Sequence, residues 1–489
     1  MRDSGRISMS DAVAFVKRHP LAFMLAVGIA IRLLLSPIAL PYDIDYWALT
    51  LRNMQVGEGL YGVEGYFYTP VWGYVLGLSS LFQSFILDMG ETSERVAEAL
   101  FTEDISGFRL SATVQSISFN LLVKVPLIIC DVLLALSVFY LSKRLLGEEK
   151  ALKAAALTFL CPLSIGVTSF IGMPDTISAL FSILAVILLI DRRFFLAGMT
   201  FAVAVWTKFF PAFLVFCLIS YVIIVSGDRK AAFKGVAMAA VGSVMMTAAL
   251  FLPQILEGNL DRCFQFISDR VSVSASGTIL DVFESTSRVA VYLAALVGSF
   301  LLSVRLFRVG RENCDLKLVK YCFAVVLFCL LYPPAPQYVV LLVPFLAFMA
   351  AQDRRYMLPW WILSISAFVF LTPTNADMLL PIAAWTDLLS VESVMDVFNA
   401  FRTSLGPFTV MELHYAIGGI IQYSSLILAL LTLLGLIPWK SDEKGQEGGR
   451  SPVYVFSRRS GRRTRRLRFR RWTGGRSRAF LRRSRPSRR

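Results

Sequence analysis

Two carboxylates one residue apart, Asp43 and Asp45, stand in the stretch PYDIDYWALTLRNMQVGEGLYGVEGYFYTPVW (41–72). A carboxylate held beside a hydroxyl takes its proton as the hydroxyl attacks, so such a pair suits general-base catalysis. The neighbouring residues suit a sugar. Tyr42, Tyr46, Trp47 and Tyr68 carry ring faces on which a pyranose stacks, and Pro41 stiffens the approach. The plainer reading is a solvated loop in which an Asp caps the next helix through an exposed backbone N–H; on spacing alone both readings stand. Histidine is scarce, with only His19 and His414, and the seven cysteines are scattered without a CxxC pair. This pattern predicts no metal centre and no cofactor, and it leaves acid-base chemistry to carboxylates.

The cations of interest recur near the ends of apolar runs: Lys124, Lys208, Arg262, Arg270 and Arg402. Charge at such depths is costly and marks function, unless the side chain snorkels to lipid headgroups. What positions these groups follows from composition. Of 489 residues 56% are apolar and 17% charged, mean hydropathy is +0.63, and the apolar residues fall in blocks. That excludes a soluble enzyme and predicts an all-α polytopic membrane protein. The net charge of +15 sits in a tail: residues 450–489 hold seventeen arginines and no Lys, Asp or Glu, so the rest of the chain is slightly acidic. The tail lacks helical periodicity and reads as disordered, suited to anionic lipid headgroups or RNA, or to no catalytic purpose.

A spanning helix needs about 20 apolar residues. Runs of this kind lie near 21–40, 121–141, 154–171, 174–191, 194–206, 209–226, 231–252, 289–306, 318–332, 337–351, 357–372 and 415–438. Basic residues cluster in alternate connections, at 17–18, 142–153, 191–193, 227–234, 305–320 and 352–355, which places those connections and both termini on the cytoplasmic side. The stretch 66–87 is also apolar, but a crossing there would invert every basic loop after it. It is therefore expected as a helix in or on the outer leaflet. The expected layout is a cytoplasmic N-terminus (1–20), a membrane domain of about 12 helices (21–438) with outer loops at 41–120, 253–288 and 373–414, and a cytoplasmic Arg-rich tail (439–489).

Five motifs in order resemble the GPI mannosyltransferase I family: YDIDYW with GEGLYG and YFYTPVW, VKVPLIICDVLL (123–134), CPLSIGVTSFIGMPD (161–175), WTKFFP (206–211) and APQYVVLLVPFL (335–346). The wider resemblance is to GT-C glycosyltransferases, which use polyprenyl-phosphate sugars, several prokaryotic mannosyltransferases among them. It implies a GT-C fold and inverting transfer of a hexose, mannose above all, from a polyprenyl- or dolichyl-phosphate donor to a lipid-linked or glycan acceptor on the outer or lumenal face. The membrane would be the cell membrane or the endoplasmic reticulum. In that chemistry Asp43 or Asp45 is the base, and the departing lipid phosphate needs cations, for which Lys208, Arg262 and Arg270 are the candidates. Asp131, Asp175, Gln337 and Tyr338 would touch the acceptor or support the site, or simply pack helices.

The rival class is a secondary transporter or lipid-headgroup flippase, but no inverted repeat relates the halves and the outer loop of about 80 residues is long for one. If the tail only meets anionic lipid, truncation after Lys444 leaves glycosyl transfer in detergent near the level of the full chain. Partitioning onto anionic vesicles then weakens, with salt screening the effect over roughly 8 Å at physiological ionic strength. Loss of turnover in detergent would instead put a working group in the tail.

Overall fold

The computed structural model describes residues 16–39, 47, 50–51, 54, 56–61, 66, 68–81, 117–271, 279–331, 335–372 and 379–437, side chains from 266 to 288 excepted. Tyr42, Asp43, Asp45, Tyr46, the other residues of the 41–120 loop not named above, the Arg270 side chain and the Arg-rich tail lie outside the described residues. A backbone in lipid must satisfy its own hydrogen bonds, and the described chain does so almost wholly by helix. A two-residue ribbon is the exception among the described residues, pairing Ser404 with Thr409 and Leu405 with Phe408.

The main helices, in chain order, are α1 (Pro20–Leu35), α2 (Pro70–Ser80), α3 (Ile117–Leu146), α4 (Glu148–Phe159), α5 (Asp175–Ile190), α6 (Phe194–Thr207), α7 (Val215–Val225) and α8 (Arg229–Leu256). There follow α9 (Leu260–Val271), α10 (Ile279–Val309), α11 (Cys314–Cys329), α12 (Val343–Gln352), α13 (Met357–Ile365), α14 (Val391–Arg402) and α15 (Val410–Leu433). Their ends carry ordinary signals. Asp228 caps α8 by accepting from the Ala231 amide at 2.8 Å. Thr409 and Glu412 form a capping box at α15, with bonds of 2.7 and 3.1 Å. Lys143 and Arg144 close α3, and Glu148 and Glu149 open α4, each charge facing the favourable end of a helix dipole.

Each of the twelve expected apolar segments contains helix, but the expected count of crossings is not reached on length. Four described helical stretches are long and apolar enough to span: α3, α8, Val289–Val309 within α10, and α15. A fifth arises if α4 and Pro162–Phe170, bent by 42°, form one broken span. The stretches Pro20–Leu35, Asp175–Ile190, Phe194–Thr207, Phe210–Val225 and Pro336–Gln352 are apolar but shorter. A 16-residue helix reaches about 24 Å, against a hydrocarbon core of about 30 Å. The shortening has local causes: a π turn at Gly166–Phe170, and 3-10 turns at Phe210–Leu214 and Pro336–Leu342 that begin at or near prolines. At 11 residues α2 is too short to cross, and it packs against α3, α6 and α8.

The connections at 253–288 and 373–414 carry helices of their own among their described residues. In α9 the apolar residues Leu260, Cys263, Phe264 and Ile267 recur at helical spacing, and in α14 Val394, Met395 and Phe398 are buried on one face.

Helices α6 and α8 pack backbone to backbone. A Cβ at Gly198 would sit 1.9 Å from the Ala239 carbonyl oxygen, and one at Gly242 would sit 2.1 Å from that of Phe195. Small residues at such crossings allow the close approach that dispersion needs in lipid. Gly242→Val is therefore expected to destabilise the protein by about 1–3 kcal/mol or more, read as a fall in thermal unfolding temperature in detergent. Gly419→Ala, on α15 with nothing within 4 Å of the added carbon, is expected to be neutral or mildly stabilising. Equal effects at the two positions would contradict the packing assignment.

Candidate functional site

A buried charge network sits where α1, α3 and α5 meet. Arg32 of α1 donates from Nε to Asp131 Oδ2 of α3 at 2.8 Å, both side chains almost fully buried, and its guanidinium lies 4.0 Å from the centre of the Phe159 ring. Asp131 also accepts from Thr168 Oγ1 of the π turn at 2.7 Å and from Thr176 Oγ1 in the first turn of α5. Two turns before Asp131 on α3, the Lys124 ammonium is fully buried and donates to three carbonyls: Ser36 at 2.7 Å, Ala39 at 2.6 Å and Phe170 at 2.8 Å. These carbonyls lie just past α1 and at the end of the π turn, where no intrahelical N–H reaches them, so one cation closes both ends. Lys124, singled out as a cation near the end of an apolar run, is thus a clasp between backbone ends.

A second constellation lies just beyond α6. The helix stops at Thr207, Lys208 takes an extended conformation (φ −148°, ψ 132°), and the chain turns into the 3-10 segment containing Pro211. The Lys208 ammonium stands 3.6 Å from Asp175 Oδ1, with 9% and 3% of the two side chains exposed. It also stands 4.9 Å from the ring centre of Tyr68 and 4.4 Å from that of Tyr338, within cation–π range of both. Asp175 is the first residue of α5, entered through Gly172 at φ 73°, and the neighbouring Thr176 ties that turn to Asp131. Tyr338 packs on Phe210 at 5.3 Å, and the 3-10 turn carrying it is held where Gln422 of α15 donates to the Pro336 carbonyl at 3.0 Å. Gln337 lies beside Tyr338 in that turn and is half-buried.

An aromatic wall backs Tyr68. Its ring meets Tyr66 at 5.9 Å and Trp47 at 6.2 Å, and Trp47 meets Trp72 at 4.9 Å. The Tyr61 hydroxyl donates to the Tyr68 carbonyl at 2.7 Å. Burial, reinforced by Tyr66, pushes the Tyr61 phenol above its ordinary range, so this hydroxyl stays protonated and keeps donating.

The sequence-predicted residues divide accordingly. Lys208, Asp175, Tyr68 and Tyr338, widely separated in the chain, come together. Trp47 is 1% exposed and packs within the wall. Arg262 gives its guanidinium to the Tyr61 carbonyl and so ties α9 to the 56–61 segment. Arg32 was missed by sequence reasoning. Its signal was legible, since an arginine inside an apolar run needs a partner.

Residues 112–334 match the family model described as glycosyltransferase family 87. The matched stretch holds Lys124, Asp131, Asp175, Lys208 and Arg262. No curated protein matches the chain. The resemblance to the GPI mannosyltransferase I family is not confirmed by these comparisons. The matched stretch is 223 of the 489 residues; its similarity to that family, with the several apolar helices, supports the reading of a membrane glycosyltransferase.

The Arg32–Asp131 pair yields a direct test. Asp131→Leu alone strands a buried guanidinium and is expected to cost about 3–5 kcal/mol, whereas Arg32→Met with Asp131→Leu removes both charges and recovers most of it. Thermal unfolding of the single and double variants in detergent reads this. A double variant as unstable as the single one would show that the pairing of charge is not what Asp131 supplies.

Proposed function

We propose that this protein is an inverting membrane glycosyltransferase that moves a hexose, in our reading mannose, from a polyprenyl- or dolichyl-phosphate donor to a lipid-linked or glycan acceptor. We place the reaction at the outer or lumenal face of a chain crossing the membrane about twelve times, in the cell membrane or the endoplasmic reticulum, with the Arg-rich tail against anionic lipid on the other side. The observation that carries the reading is Lys208, a nearly buried ammonium held between two tyrosine rings and one carboxylate at a helix break. A cation in a low-dielectric setting is what a departing phosphate requires, and the stretch similar to the glycosyltransferase family includes Lys208 and Asp175, though not Tyr68 or Tyr338.

In the proposed reaction the acceptor hydroxyl attacks the anomeric carbon from the face opposite the lipid phosphate. A new C–O bond forms, the bond from the anomeric carbon to the phosphate oxygen breaks, and the electron pair leaves on the phosphate. Asp43 or Asp45 takes the hydroxyl proton, with Asp43 favoured, and the other acid orients the acceptor. The leaving phosphate is a weak base, so a positioned cation suffices in place of a general acid. Tyr68 and Tyr338 hold Lys208 without discharging it, because an aromatic face attracts a cation while carrying no net charge.

Purified protein with a radiolabelled polyprenyl-phosphate sugar tests the reading. Transfer of label to acceptor is expected, whereas vesicle uptake without transfer would identify a transporter. Asp→Asn at the base is expected to lower kcat on the order of a hundredfold to ten-thousandfold with little change in donor binding. Lys208→Met is expected to weaken donor binding and turnover together, since its charge meets phosphate in both ground and transition states. Near-normal turnover in both Asp43→Asn and Asp45→Asn would remove these acids from the chemistry.

A further inference from the structure

The donor and the product differ in charge exactly where Lys208 would hold them, and this asymmetry raises a difficulty. A lipid-phosphate sugar is a phosphodiester with one negative charge. Once the sugar has left, the remaining lipid monophosphate carries about −1.5 to −2 at neutral pH. A lone buried ammonium would therefore grip the product more tightly than the donor, and the site would fill with spent lipid.

We infer that Asp175 is a resident counterion at the phosphate seat, and that its negative charge lets the site release the lipid monophosphate in favour of the phosphodiester donor. The inference rests on the reading of Lys208 as the phosphate-binding cation.

Three observations carry it. First, the Asp175 carboxylate lies 3.6 Å from the ammonium, whereas the Arg32–Asp131 pair closes to 2.8 Å. The looser contact leaves the cation able to be shared with an incoming anion. Second, Asp175 brings a negative charge to the ammonium, whereas the rings of Tyr68 and Tyr338 beside it are neutral. Third, Asp175 is fixed in place. It is the first residue of α5, whose N-terminal dipole favours an ionised carboxylate, and the next residue, Thr176, is tethered to Asp131. With a phosphate on Lys208, the carboxylate remains nearby and charged. Its repulsion grows with the charge on the phosphate, falling harder on the monoester product than on the diester donor.

Asp175 is on this account a positioning residue acting through Lys208, and its signature is the ratio of product to donor affinity. The full chain in detergent is assayed with a short-chain prenyl-phosphate sugar as donor and the matching prenyl monophosphate as inhibitor. Asp175→Asn is expected to lower the inhibition constant of the monophosphate by roughly tenfold and the donor KM by less, with Asp175→Glu restoring the wild-type ratio. The wild type itself provides a second reading that needs no variant: a prenyl monophosphate is expected to bind no more tightly than the methyl diester of the same chain. An unchanged or raised inhibition constant in folded Asp175→Asn, or a wild type that strongly prefers the monoester, would overturn the inference. Lys208→Met separates the two claims. Undiminished monophosphate binding in that variant would sink the phosphate seat itself, whereas weakened binding there with an unaltered ratio in Asp175→Asn would sink only the role of Asp175.

Discussion

Charge taken out of water must be paired, and the Arg32–Asp131 contact is the pairing on which the rest of this structure depends. Arg32 brings α1 to α3, and the remaining acceptor capacity of Asp131 is taken by Thr168 and Thr176, drawing in the π turn and the start of α5. Lys124, seven residues earlier on the same helix, binds the carbonyls beyond α1 and at the end of the π turn. Four segments thus converge on two charged side chains of α3. Each bond in the set is worth more in this environment than in water, and each is correspondingly damaging to break.

The second constellation inherits its geometry from the first. Asp175 stands where it does because Thr176 anchors the first turn of α5, and Lys208 reaches it because α6 ends early. A continuous helix through 207–211 would keep the Lys208 backbone helical. The extended conformation there, followed by a 3-10 turn, frees the side chain to lie between Tyr68 and Tyr338. Tyr338 is likewise carried by a 3-10 turn, and Gly172 precedes Asp175 in a left-handed conformation. The same irregularities that shorten the membrane helices place the polar groups at their ends. Such backbone is tolerated at membrane depth where protein buries it.

Helix positions were legible from apolar periodicity, because a backbone in lipid has little alternative to helix. The prolines near 211 and 336 signalled breaks, but the π turn at Gly166–Phe170 had no signal, since its residues are ordinary helix formers in an apolar run. The twelve runs were visible and their true lengths were not: a hydropathy run ignores the turn that divides it. Lys208, Asp175, Tyr68 and Tyr338 could each be singled out as a charge or ring of unusual place, but their meeting could not, because it depends on packing between segments that are not neighbours in the chain. Arg32 and Asp131, separated by 99 residues, show the same limit. The stretch that first suggested catalysis, with Asp43 and Asp45, lies outside the described residues, and its role rests on chemistry and resemblance.

The central claim is that the ammonium between Tyr68 and Tyr338 receives the phosphate of a lipid-linked sugar. Its most direct test is an experimental structure of the full chain bound to a non-transferable prenyl-phosphate sugar analogue. The account predicts the phosphate against Lys208, with the sugar reaching toward the segment that carries Asp43 and Asp45. A phosphate bound elsewhere, with the Lys208–Asp175 pair undisturbed, would contradict it.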